Sequence, residues 1–158
     1  MNIGTKVSKA LIQEEFAYYE AEAKKLKTDA IHEALMDEAH RRGFFSVVTD
    51  RVVRPLAAGN LPLSDEELTI GLCRSAALGS PRSLILAFQI IARGKVEWSR
   101  LASLGREHGV APVLKWLATR TITPRTAALL FQLRGESVAE INIHADRFRK
   151  PYLSPLYK

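Results

Sequence analysis

Apolar residues recur along this chain at intervals of three and four, the pattern of helices that turn one face toward a core. From Ser8 onward, Ile12, Phe16, Tyr19, Ala23 and Leu26 line one side of a helix, with glutamates and lysines opposite. Thr28 and Asp29 can interrupt or cap. A second stretch then runs through Ala30, Ile31, Leu35, Met36 and Ala39 until Gly43 supplies a stop. Whether residues 8–42 form one helix or two is left open by the spacing, although the drift of the stripe between Leu26 and Ile31 favours a break.

Phe44, Val48 and Val52 keep a four-residue period and predict a helix over 44–53, after which Pro55, Gly59, Asn60 and Pro62 form a loop. Helix starts are well marked beyond that point. Ser64 and Glu67 make a capping box ahead of Leu68, Leu72 and Ala76. Ser80-Pro81 opens a helix with Leu84, Phe88 and Ile91 on its buried side and Gly94 as its stop. Trp98, Leu101 and Leu104 continue the pattern to Gly109, and Pro112 opens a short helix through Val113, Leu114 and Leu117. Thr123-Pro124 starts another through Ala127, Leu130 and Phe131, ended by Gly135. Ser137 and Glu140 form a second capping box, which outweighs the strand-like alternation of Ile141, Ile143 and Ala145 and predicts a helix through Val138, Ile141, Ala145 and Phe148.

The expected fold class is all-α, a compact bundle of about seven to nine helices in which a long N-terminal helical segment precedes shorter ones. One domain spans 1–158: an N-terminal helical segment (8–43), a helix and Pro/Gly loop (44–63), a basic helical bundle (64–150) and an irregular tail (151–158). With 158 residues, 47% hydrophobic and 25% charged, the composition is that of a soluble globular domain and excludes a disordered, collagen-like or disulfide-stapled chain. The longest apolar stretch, Leu84 to Ala92 with Gln89 inside it, is too short to span a bilayer. The single cysteine, Cys73, and an N-terminus without an apolar signal region fit a cytoplasmic protein.

Charge divides the chain in two. Residues 1–50 carry 7 Lys/Arg against 9 Asp/Glu, or −2, and residues 51–158 carry 16 against 8, or +8, which together make the net +6. Twelve of those 16 basic residues are arginines, whose planar forks suit phosphates and carboxylates. Arg93, Lys95, Arg100 and Arg106 bracket one predicted helix, Arg120 and Arg125 bracket the next turn, and Arg147, Arg149 and Lys150 follow near the end. These nine residues are the candidate nucleic-acid contacts, acting on phosphates without base readout, DNA or RNA alike. Trp98 and Trp116 sit at core spacings rather than as stacking platforms. The aromatic set Phe16, Tyr18 and Tyr19 on the acidic front is the candidate face for a protein partner.

No constellation points to catalysis, a metal or a cofactor. Asp37-Glu38-Ala39-His40 has the letters of a helicase DEAH box, but no phosphate-binding G-x-x-x-x-G-K-[ST] accompanies it. Glu33, Asp37 and His40 share a helical face, yet no second E-x-x-H completes a carboxylate-bridged site, so a solvated charged face is expected there. Cys73 is expected to be buried and inert. Gly135-Glu136-Ser137-Val138-Ala139-Glu140-Ile141 resembles the turn and second-helix start of bacterial helix-turn-helix domains. It departs from them at Phe131, where a small residue belongs, and at Glu136, where an apolar one does, so it reads as ordinary helix punctuation.

The function expected from these features is that of a non-catalytic helical subunit of a nucleoprotein or multi-protein assembly. Its basic part would hold nucleic acid and its front part another protein. The alternative is an interaction module, a regulator or inhibitor, whose arginines meet an acidic protein.

Overall fold

A computed structural model describes residues 2–44, 52–75 and 81–141, and among them the chain is all-α. Eight helices follow in order: α1 (Ile3–Ala10), α2 (Gln13–Leu26), α3 (Ala30–Arg41), α4 (Asp65–Ser75), α5 (Pro81–Arg93), α6 (Trp98–Glu107), α7 (Ala111–Ala118) and α8 (Pro124–Gln132). The predicted helix over 44–53 and the irregular tail fall largely or wholly outside the described residues.

The N-terminal segment is three helices where the periodicity suggested one or two. Asn2 caps α1 by accepting from the Thr5 amide at 2.7 Å, so Ser8 lies inside a helix rather than starting one. The chain then extends at Leu11 and Ile12, and Glu15 accepts from the Ile12 amide at 3.0 Å to begin α2. α2 ends where Lys27 takes a left-handed conformation (φ 57°) and the Thr28 amide bonds back to the Ala23 carbonyl. Asp29 caps α3 through the His32 amide at 2.7 Å. Ile12 and Leu26, placed on the buried stripe by spacing alone, stand at these breaks and are both 50% exposed.

α4 and α5 form the most extensive helix pair, and α4 also packs on α1, α3 and α6. α5 is buried all round from Ser83 to Ile91, as its nearly continuous apolar run requires. Gly71 lets α1 and α3 close on α4, because a Cβ there would lie 2.8 Å from Leu35 Cδ1 and 3.3 Å from Ile3 Cγ2. α2 packs on α3, and α6, α7 and α8 form a second layer in which each packs on the other two. The Ser64–Glu67 capping box is made in both directions, each bond 3.1 Å, and Thr123 caps α8 through the Thr126 amide.

Two expectations fail in this layer. Ser137 starts no helix: residues 136–141 are non-helical, the Ala139 amide bonding to the Pro112 carbonyl and Lys115 Nζ donating to the Glu136 carbonyl at 2.6 Å. The Ala139 amide, a first-turn donor that a cap at Ser137 would have served, is taken by α7 instead. On α8 the buried face runs Thr126, Leu129 and Leu133, which leaves Phe131 62% exposed. A residue two places from both Leu129 and Leu133 points roughly 200° away from them.

Candidate functional site

The charged face of α3, expected in solvent, is the polar heart of the molecule. His32, Glu33, Asp37, Glu38 and His40 are all buried, Asp37 and Glu38 completely. α2 packs along one side of α3, α1 and α4 along others, and the 52–63 loop supplies hydrogen-bonding partners to the rest. Glu38 accepts from Arg41, from Arg42 Nε at 2.6 Å and from the Leu61 amide at 3.0 Å. Arg41 reaches the Arg54 carbonyl, while Arg42 reaches Asp65 and the carbonyls of Leu61 and Leu63. Glu15 of α2 holds the same loop through the Ala57 amide. A buried carboxylate is tolerable only with this many donors, and here they bind the loop to the bundle.

Further along α3, Tyr19 donates to Asp37 at 2.9 Å, and Thr28 donates to Glu33 at 2.8 Å. Burial, reinforced by the Asp37 charge, pushes the Tyr19 phenol above its ordinary range despite Arg41 beside it, so the phenol keeps its proton and acts as a donor. Among the described residues no group of three His, Cys, Asp or Glu is arranged to hold a metal ion. Cys73 is buried in α4, and burial pushes its thiol up to about 12.

The candidate basic residues within the described chain divide into two groups. Arg93, Lys95, Arg100 and Arg125 gather around the first turn of α4. Asp65 accepts from the Lys95 amide at 2.8 Å and from Arg42, and Arg93 donates to the Gly43 carbonyl. Arg125 lies 5.0 Å over the Trp98 ring and donates to the carbonyls of Ile91 and Gly94. The acids of this turn face inward: Glu66 accepts from the Glu97 amide, and Glu67 from Lys6 and the Ser64 amide. Arg93, Lys95 and Arg100 are exposed, and Glu97 is the exposed acid between them. Arg100 stands 4.0 Å from Glu67 with half of its side chain in solvent.

Arg106 belongs to the opposite end of α6, about 9 Å further along the helix axis. Its guanidinium donates to Glu136 at 2.8 Å and to the Gln132 carbonyl at 2.7 Å. Arg120 lies 4.3 Å over Trp116 and bonds to that residue's carbonyl, which makes it a staple at the end of α7. Arg147, Arg149 and Lys150 lie outside the described residues. Trp116 is buried and Trp98 partly so, as core spacing implied.

The proposed aromatic partner face is not one surface. Tyr19 is completely buried, its hydroxyl committed to Asp37, and so is closed to a partner. Tyr18 packs against the core with Arg54 over its ring at 4.6 Å. Phe16 lines a groove of about 720 Å³ between α1, α2, α3 and α4, with Ile3, Ala23 and Ile31 in its wall and Lys24 and Arg74 also along it. No described helix is long and apolar enough to cross a membrane. Compared with protein families, curated proteins and solved structures, the chain matches none.

Proposed function

We propose that this chain is a non-catalytic helical subunit that holds nucleic acid by its backbone phosphates. The observation that carries this reading is the inside-out charge arrangement at the first turn of α4. There Asp65, Glu66 and Glu67 are spent on backbone amides and on Arg42 and Lys6, while three exposed cations, Arg93 (which also holds the Gly43 carbonyl), Lys95 and Arg100, face a single exposed acid, Glu97. An excess of exposed cations over exposed acids attracts a polyanion. Arg125 supports this end from below rather than contacting the ligand.

The test is binding of labelled single- and double-stranded DNA and RNA across a salt series. Three phosphate contacts give a slope of log affinity against log salt of about −2 on single strands. Absence of binding at low salt overturns the proposal. A second reading, a protein-interaction module, is supported by the Phe16 groove, whose apolar wall suits an amphipathic helix. Charge reversal at Lys24 and Arg74, which line the groove, then abolishes capture of an acidic amphipathic helix while nucleic-acid retention stays at background.

A further inference from the structure

The exposed ring of Phe131 stands in unusual company. Around the turn that ends α8, Arg134 lies 4.2 Å over the ring and donates to the Phe131 carbonyl. Arg106 reaches the Gln132 carbonyl and the Glu136 carboxylate, and Lys115 donates to the Glu136 carbonyl. Three cations from α6, α7 and the α8 turn thus converge on six residues that hold one acid, Glu136, and a phenylalanine 62% open to water.

We infer that this corner binds single-stranded nucleic acid by stacking a base on Phe131, with Arg106 and Arg134 meeting the flanking phosphates. The inference rests on the nucleic-acid reading above and extends it to a second end of the molecule and to the state of the strand. An apolar anchor for a protein partner works inside a dry surround, whereas Phe131 is open to water with the Arg134 guanidinium on its ring and the half-exposed, Glu136-paired Arg106 on the same turn. Stacking of bases on aromatic rings beside cationic side chains is the arrangement of single-strand binders, and it asks nothing of sequence because every base has a π-face. Arg134 lies over one face of the ring, and the 62% exposure of Phe131 leaves ring area for a base. A duplex keeps its bases stacked within itself and can offer this corner phosphates alone.

The experiment measures anisotropy of labelled oligothymidylate, oligouridylate and a DNA duplex with the full-length chain, wild type against Phe131→Ala, Phe131→Trp and Arg134→Gln. Phe131→Ala is expected to weaken single-strand binding by about tenfold or more and to leave duplex binding unchanged. Phe131→Trp retains single-strand affinity, and Arg134→Gln flattens the salt slope on all three ligands. Unchanged thermal melts establish that each variant is folded, as a ring already in solvent implies. Equal single-strand affinity of Phe131→Ala and wild type overturns the stacking inference and leaves the phosphate reading standing. Failure of the wild type to bind any of the three ligands at low salt overturns both.

Discussion

The Tyr19 hydroxyl donates to Asp37 at 2.9 Å across the α2–α3 interface, and both side chains are fully buried. The bond joins two helices whose charged residues would otherwise read as solvent-facing. Tyr19→Phe removes the donor and leaves the ring's packing intact, so the expected loss is about 1–3 kcal/mol, the cost of taking a partner from a buried carboxylate. Urea denaturation at neutral pH measures it; an unchanged midpoint would mean that Asp37 is served equally well without the phenol.

Helix starts were legible in the sequence because caps act locally: Asp29, the Ser64–Glu67 box, Pro112 and Thr123-Pro124 are all in place. The fate of the α3 charges was not legible, since it depends on the 52–63 loop arriving from elsewhere in the chain. The one local sign was Glu38 with arginines three and four residues later, a spacing that permits pairing on one helix. Phe131 was misplaced because Leu130/Phe131 and Leu129/Leu133 offer equally regular stripes, and only packing against α6 and α7 chooses between them. Ser137 and Glu140 have the letters of a cap, but the tie from Ala139 to Pro112 overrides that local preference. Arginine counts located the positive half of the chain without revealing that Arg120 and Arg125 spend their forks on carbonyls and indole rings.

Stability should fall in acid through Glu67. Burial pushes its carboxyl up, but the Lys6 ammonium and the Ser64 amide and hydroxyl outweigh burial and hold it below the ordinary glutamate range. The folded state therefore favours the charged form. Its contribution is complete above the unfolded value of about 4.3 and is lost as pH falls through the lower folded value. Urea midpoints taken downward from about pH 5 should drop more steeply for wild type than for Glu67→Gln or Lys6→Met. Parallel curves for all three proteins would remove the pair from the acid response.

Gly94→Ala should destabilise the end of α5. A Cβ there would stand 2.6 Å from the Ile90 carbonyl oxygen, 2.8 Å from Ile90 Cγ2 and 3.0 Å from Asp65 Oδ2. Backbone cannot yield as a side-chain tip can, so the expected cost is about 1–3 kcal/mol. Because Asp65 also holds the Lys95 amide, hydrogen exchange at Lys95 should quicken in the variant beyond what the global loss explains. Gly105→Ala is the comparison: its Cβ meets the tip of Leu114 at 2.5 Å, a side chain able to rotate, and the loss should be smaller.

Arg125 and Arg100 should separate stability from binding. The Arg125 fork joins the Ile91 and Gly94 carbonyls and covers Trp98, so Arg125→Gln strands two acceptors beneath the α5–α6 turn and should cost about 1–3 kcal/mol. Arg125→Lys recovers little of this, because a single ammonium cannot span both carbonyls while lying flat on the indole. Arg100 has half of its side chain in solvent and only a 4.0 Å approach to Glu67, so Arg100→Gln should leave the melt unchanged. On single-stranded nucleic acid the order reverses: Arg100→Gln reduces the salt slope by about 0.7, one phosphate's worth of released counterions, and Arg125→Gln, assayed well below its melt, leaves the slope as it was. Were Arg125→Gln the variant that loses slope, the ligand would have to displace Arg125 from its carbonyls, and the binding surface would lie over the α5–α6 turn instead of along the exposed face of α6.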